Sequence, residues 1–588
     1  MSYFYLINCN YLNPKVSVFY IISVSNPINS FHQVKPFLSK KIIYILYTLI
    51  AMVYISGLFI PLMENDSAQH ATMAMRMYLQ NDFINLYRGF DEYLDKPHMH
   101  FWLAALSFKI FGVTQWAYRI PALLFTLLGA YSTFRLAKEF YSEKAGHPAS
   151  LIFLTSQAII LANHDVRTDA VLTGAAIFAI WQWVKYLKYK KVLYAILGGL
   201  GTAVAFSTKG QLAIFFIGST LLFYVLYSRK WAVVFNWKLL IGIAAFFLGI
   251  LPMLYAYYLQ FDLHPEKVIH GQSNISGVRF IFWDQSFNRM TASGFEAPNT
   301  DYFFFFHTLL WAFLPWAMIA YVAIFDRTRQ FIKIRFQYRE GMEFLSLGGF
   351  WFIMLVINMS KSKLPHYMNS LFPILAILLA GYLVYLFDSS KEKMIKILLG
   401  IQYFIITLGT ILAMILITQV FPLPGIYLLI VYILLLLFLM FAVFKKTESV
   451  AKIIIISVLF SVFVNFSLNT QFYPNLLRYQ AGNNMVEIIK KEKIDIDKVY
   501  ILDKNYSWSL NFYTERETPS VSLEELKNRK DLWLFVYGKD LEGLENEGIK
   551  WDQSFEVPYY RITMLSLKFL NPATREGELK KAYLVHIN

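Results

Sequence analysis

The sequence predicts a polytopic α-helical membrane protein of about thirteen transmembrane helices, with a small α/β domain outside the membrane after the last of them. Three observations predict it. Of the 588 residues, 57% are hydrophobic and 16% charged, and the apolar residues gather in runs of roughly 18 to 25, enough to cross a bilayer as helices. The net charge of +15 is dealt out over short loops between those runs, which is a topology signal and not a groove for nucleic acid. After about residue 470 the composition shifts to short apolar strands and an amphipathic helix. The single cysteine, Cys9, excludes an intramolecular disulfide.

The spans read in order as 42–61, 117–136, 149–163, 169–187, 192–208, 211–227, 238–260, 304–325, 343–359, 367–387, 397–419, 425–444 and 451–469. Alternate loops are basic, among them Lys35/Lys40/Lys41, Lys185/Lys188/Lys190/Lys191 and Arg327/Arg329/Lys333/Arg335/Arg339. Lys and Arg concentrate on the cytoplasmic side, so these loops and the N-terminal segment 1–41 are predicted to be cytoplasmic. The transmembrane domain is 42–469, with outer loops 62–116 and 261–303. An odd number of spans puts residues 470–588 outside, where Val499–Leu502 and Leu532–Tyr537 read as strands and the stretch from Met485 as a short amphipathic helix. No nucleotide-binding glycine motif, zinc spacing or internal repeat is found.

The unusual polar residues collect on the outer side. Asp66 follows Pro61 at the end of the first span, and Ala71, Met75 and Leu79 beyond it have helical spacing, which predicts an interfacial helix along the bilayer surface. Asp66 reads either as a carboxylate serving a lipid-linked substrate or as a helix N-cap. Lys96, between Asp95 and Pro97, reads as a phosphate ligand or a snorkelling lysine. Arg167 and Asp169 suit a local ion pair on a tight turn. Lys209 lies between two closely spaced apolar runs, where an ionisable group is functional or snorkels. Lys361 and Lys363 depart from the rule that short outer loops are poor in lysine, which favours service to an anion.

The strings Asp66-Ser67-Ala68-Gln69-His70, Tyr93-Leu94-Asp95-Lys96-Pro97-His98, Arg167-Thr168-Asp169, Ser207-Thr208-Lys209-Gly210 and Ser362 to Tyr367, with Leu371-Phe372-Pro373, run in order between about 40 and 390. Together they resemble the aminoarabinose-transferase and protein-O-mannosyltransferase group of membrane glycosyltransferases, polyprenyl-phosphate-sugar enzymes of the GT-C fold. The resemblance implies a bacterial inner-membrane enzyme facing the periplasm, inverting transfer from an undecaprenyl-phosphate sugar, and lipid A, a glycan or a protein hydroxyl as acceptor. It implies Asp66 as catalytic carboxylate and Lys96 as donor-phosphate ligand, and Asp95 stands where the aminoarabinose enzymes usually have Glu. Ser67 replaces a common second acid and His70 a common tyrosine, and the region Trp283 to Arg289 lacks the histidine those enzymes tend to carry. The metal is therefore unknown: a divalent cation is left open and none is required.

A sugar on polyprenyl phosphate brings its own leaving group, so transfer needs a base on the acceptor and positive charge on the phosphate. Asp66 is assigned the first task, and Lys96, Lys209, Arg289 and Lys363 the second, with Tyr93, Asp95, Asp169 and Tyr367 positioning substrate. The alternative is a lipid-linked glycan transporter or flippase. A transporter places its ionisable groups near the midplane in broken helices, whereas Asp66 and Lys96 are predicted outside the spans.

Overall fold

The computed structural model describes residues 37–269, 271–285, 299–503 and 505–588. All thirteen predicted segments are helical, but they differ in how they cross. Among the described residues ten helices are long and apolar enough to span a membrane, from α1 (Lys40–Leu58) to Ser449–Tyr479. Between them, α2 (Asp66–Leu79) and α3 (Met99–Phe111) precede α4 (Gln115–Phe140). The segment predicted at 149–163 is a pair, α5 (Glu143–Leu154) and α6 (Gln157–His164), bent by 53° and counting as an eleventh span if taken as one. At the bend Thr155 and Ser156 donate their hydroxyls to Leu151 O and Ile152 O, at 2.6 and 2.7 Å, a back-bonding that bends helices. The segment 304–325 breaks into Phe304–Ala312 and Ala317–Lys333 around Pro315, which has no N–H to continue the ladder. The 343–359 helix is only 15 residues, Leu345–Met359.

The helices sort by depth. α7 (Asp169–Tyr189) and Pro365–Asp388 are 83% and 89% buried in protein, whereas Glu392–Val420 and Ile426–Phe444 are each 22% buried, so the first pair is the bundle's core and the second presents its apolar surface outward to lipid. α8 (Val192–Lys209) and α9 (Gln211–Ser228) meet at Gly210. Its φ of +63° and the side chain of Gln285 against the place a Cβ would occupy leave room only for glycine.

α2 corrects one expectation. It does not lie as a surface helix: Ala68, Ala71, Met73, Ala74, Met75 and Met77 are buried with Phe101 and Phe108 of α3 and with Trp508 and Phe512. Its buried residues, from Ser67 through Met77, fall on every side of α2, as in a helix enclosed by protein.

Beyond the spans a mixed sheet forms in the order β4-β3-β5-β7-β6. β3 (Val499–Leu502) pairs parallel with β4 (Ser520–Val521) and β5 (Leu532–Tyr537), while β7 (Lys580–Ile587) runs antiparallel to β5 and to β6 (Gln553–Tyr559). Met485, Val486 and Ile489 of the helix Ala481–Lys491 cover one face and Leu526, Leu544 and Ile549 the other. That two-sided burial explains why β5 reads Leu-Trp-Leu-Phe-Val-Tyr without polar alternation.

The sheet region is clamped to the segment between α1 and α2 through Glu64. One carboxylate oxygen accepts from the Ser509 amide at 2.9 Å, the Ser509 hydroxyl at 2.7 Å and the Ser507 hydroxyl at 3.2 Å. Gln480 bonds the Glu64 amide and the Leu62 carbonyl at 2.8 and 2.9 Å, and the Tyr513 hydroxyl takes the Leu62 amide at 2.9 Å. Burial raises the Glu64 pKa, against those donors. The stretch leading into Asp66 is thus held from the C-terminal side of the chain.

Candidate active site

Four chain segments converge on one cavity of about 240 Å³: the start of α2, the segment 88–96, the turn 167–169 with Lys209 behind it, and the segment 362–367. The arrangement begins with Arg119 of α4, which is fully buried. Its guanidinium donates to His164 O, Leu58 O and Pro61 O at 3.0, 3.0 and 3.1 Å, and to Ile60 O, so the ends of α1 and α6 are tied to each other. Asp66 leaves the first end and Arg167 the second. Tyr118 donates to Val166 O at 3.0 Å and bonds His100 at 3.0 Å, fixing the turn.

Asp66 is the first residue of α2 and makes no capping bond; its Oδ2 sits 3.0 Å from Arg167, with the side chain about half exposed. The N-cap reading of this carboxylate is therefore not the geometry found. Arg167 also pairs with Asp165 at 2.7 Å and lies 3.4 Å from His366 Nδ1. Burial raises the Asp165 pKa, and the Arg167 charge opposes it. The expected Arg167–Asp169 pair is corrected: Asp169, opening α7, bonds Lys209 at the end of α8 at 2.5 Å, both nearly fully buried. Arg167 is shared by Asp66 and Asp165, and the buried Asp169 carboxylate is paired by Lys209 instead, as a charge removed from water requires.

Lys209 Nζ lies 5.1 Å above the Tyr367 ring, and both line the cavity with Tyr93, Asp95 and Lys96. Tyr257 donates to Leu94 O at 3.2 Å and Gln285 to Asp95 O at 2.5 Å, so neighbours on two sides hold this strip. Gln260 bonds Leu86 through both its amide and its carbonyl, at 3.0 and 2.8 Å, and so braces the hairpin of β1 (Tyr87–Arg88) and β2 (Asp91–Glu92), which presents Arg88 to the cavity. The lining carries four cations, Arg88, Lys96, Arg167 and Lys209, against three carboxylates, Asp66, Asp95 and Asp169, with Asp165 behind Arg167 as a fourth.

One of the sequence-predicted phosphate ligands stands elsewhere. Lys363 is buried, and its ammonium donates to Asn299 O and Asp301 O at 3.0 and 2.7 Å, so it braces the outer loop and is not in the cavity lining. Arg289 lies outside the described residues. Conversely, sequence reading passed over Gln69, His70, Arg88, Thr168 and His366 as site residues. Arg88 carried a signal of the same kind as Lys363, a cation in an outer loop. His70 is buried, its Nδ1 meets no partner, and burial, the nearby His100 and the cations Lys96 and Arg167 hold its pKa well below the imidazole range. Among the described residues no three His, Cys, Asp or Glu side chains converge, so the donor set for a metal is not assembled there and no step is derived through one.

The fold recurs in a known protein. The structure superposes on the crystal structure of ArnT from Cupriavidus metallidurans bound to undecaprenyl phosphate with a TM-score of 0.71, covering 93% of this chain and 98% of that one at 16% identity. The chain has the GT-C fold. The family described as dolichyl-phosphate-mannose-protein mannosyltransferase matches residues 95–255 of this chain. Relatives named undecaprenyl phosphate-alpha-4-amino-4-deoxy-L-arabinose arabinosyl transferase are 26% identical over 329 residues in Edwardsiella ictaluri and 26% identical over 336 in Pseudomonas aeruginosa. These alignments cover 55% and 56% of this chain and 55% and 56% of the relatives, so the chain spans just over half the length of each.

Proposed function

We propose that this protein transfers a sugar from a polyprenyl monophosphate, undecaprenyl phosphate in a bacterium, to a hydroxyl of an envelope acceptor (lipid A, a glycan or a protein) at the periplasmic face of the inner membrane. The observation that carries the reading is the convergence in one cavity of a half-exposed carboxylate, Asp66, with Lys96, Arg88, Arg167 and Lys209. A polyprenyl-phosphate sugar is a phosphodiester with one negative charge, and the lining offers it the cations Lys96 and Arg88. The names of the relatives, and the undecaprenyl phosphate in the crystal structure of ArnT, support the same donor class.

The residues divide the work as follows. Arg167 holds the Asp66 carboxylate toward the cavity, where it accepts the proton of the acceptor hydroxyl as the oxygen attacks the anomeric carbon. The bond from that carbon to the phosphate oxygen breaks on the opposite face, inverting the centre, and the phosphodiester becomes a polyprenyl phosphate monoester with one more negative charge. Lys96 and Arg88 meet that charge as it develops, where a partly water-excluded site makes each contact worth more than in bulk water. The Asp169–Lys209 pair fixes the floor beneath Tyr367. Asp95 and Tyr93 are placed to receive sugar hydroxyls.

The test is direct. Purified protein in proteoliposomes is given synthetic undecaprenyl-phosphate sugars, 4-amino-4-deoxyarabinose and mannose first, with lipid A, glycan or peptide acceptors. Mass spectrometry should find a glycosylated acceptor and stoichiometric undecaprenyl phosphate. Absence of both across the donors would reject the reading, and movement of intact donor between leaflets would replace it with the transporter.

A further inference from the structure

After β6 the chain leaves the C-terminal sheet and returns to the ends of the membrane spans. The Tyr560 amide donates to Tyr479 O at 2.9 Å, and the Tyr560 ring stacks on Phe569 with centroids 3.9 Å apart. Phe569 is fully buried among Val420, Phe421, Phe472 and Leu476. Arg575 fastens the segment: its Nε donates to Phe569 O at 2.9 Å, an Nη donates to Val420 O, and its guanidinium lies 4.7 Å from the Phe421 ring centre. Val420 and Tyr479 end the spans Glu392–Val420 and Ser449–Tyr479, and Ile426 begins the next. The segment therefore sits at the level where the helices leave the hydrocarbon.

There the sequence Arg561-Ile562-Thr563-Met564-Leu565-Ser566-Leu567-Lys568 does what a water-facing loop avoids. Met564, Leu565 and Leu567 are 63%, 41% and 86% exposed. Leu423, between the spans that end at Val420 and begin at Ile426, and Ile426 and Tyr427 themselves are likewise exposed apolar residues. Arg561 and Lys568 flank Met564, Leu565 and Leu567 and are also exposed. Apolar tips between two cations, at the mouth of a span, match a segment that dips into the headgroup and acyl boundary while its cations stay with lipid phosphates.

We propose that residues 561–568 insert into the interface of the bilayer that the spans cross, so that the C-terminal sheet rests on the membrane through a lipid contact of its own. The contact is independent of the transfer chemistry, and its partner is phospholipid: acyl-chain surface for Met564, Leu565 and Leu567, anionic headgroups for Arg561 and Lys568.

Spin labels at single cysteines test it in the full chain. Leu567→Cys and Met564→Cys, in a Cys9→Ser background and in vesicles of phosphatidylethanolamine and phosphatidylglycerol, are compared with Glu545→Cys on the exposed side of the helix Gly538–Asn546. All three positions are exposed, so the label displaces no packing. Collision with oxygen should exceed collision with a polar nickel chelate at 564 and 567, and the order should reverse at 545. The same accessibility at all three positions would overturn the proposal. So would shielding of 564 and 567 from both reagents, which would indicate cover by protein.

Discussion

Asp66 is paired at one oxygen and open at the other, and that division decides what its amide would do. Asn keeps the shape and an acceptor oxygen for Arg167 but carries no charge and does not take the proton. Arg167 retains Asp165 at 2.7 Å, so its position survives, and a pair this exposed contributes only about 0–1 kcal/mol to stability. Asp66→Asn should therefore lower turnover by about two to four orders of magnitude, the range for losing a general base, with thermal stability close to the parent's. Radiolabelled sugar transfer and a melting curve on the same preparation check both halves; undiminished transfer would remove Asp66 from the chemistry. In the proposed mechanism Lys96 serves the donor and not the acceptor. Losing a hydrogen bond to a charged group costs about 1.5–3 kcal/mol, so Lys96→Ala should weaken the affinity for undecaprenyl phosphate roughly ten- to a hundredfold. Equal affinity in calorimetric titration would take Lys96 out of the phosphate site.

The segment between α1 and α2 is set by two elements far away in sequence. Arg119 of α4 fixes its beginning through main-chain carbonyls, and the helix Trp508–Tyr513 fixes its end through Glu64. The Glu64 clamp makes the C-terminal sheet part of the site's frame. Glu64→Ala leaves the Ser507 and Ser509 donors buried without an acceptor, a cost of about 1–3 kcal/mol, and should lower both the melting temperature and transfer. Glu64→Gln keeps the acceptor oxygen and removes the buried charge. The sign with pH follows from the raised pKa of Glu64. The folded chain holds the Glu64 proton more tightly than the unfolded one, so this group's contribution is greatest below the ordinary glutamate range and falls as pH rises through the raised value. The glutamine variant lacks that fall, and its melting temperature relative to the parent should climb with pH over that window. Melting curves with the two proteins in parallel from acid to neutral pH would expose the trend; a constant difference would mean that Glu64 does not titrate there.

At the scale of the whole molecule, apolar run length read the helices well because hydrocarbon thickness fixes one number for every span. It could not see that the stretch at 149–163 bends at Thr155-Ser156, where hydroxyls turn back on Leu151 and Ile152 inside a run still apolar enough to cross, nor that α2 is enclosed by the helix Trp508–Tyr513, since that depends on a partner hundreds of residues away. The cavity was legible where a charge stood in an odd place, as at Lys96 and Lys209, and illegible where the partner decides the role. Lys363 and Arg88 look alike in sequence, yet one braces carbonyls and the other lines the cavity. Orientation is the remaining whole-molecule property, and the basic loops argue it by charge alone. The cavity, the sheet and the segment 261–303 should share the outer side, with Ser389, in the turn after Asp388, on the cytoplasmic side. Cysteines placed at exposed Ser273 and Ser389 in the Cys9→Ser background should differ in intact spheroplasts. An impermeant thiol reagent should modify position 273 at once and position 389 only after lysis. The reverse pattern would put the cavity in the cytoplasm, where donor on the periplasmic leaflet could not reach it, and would overturn the proposed direction of transfer even if Asp66 and Lys96 kept their roles.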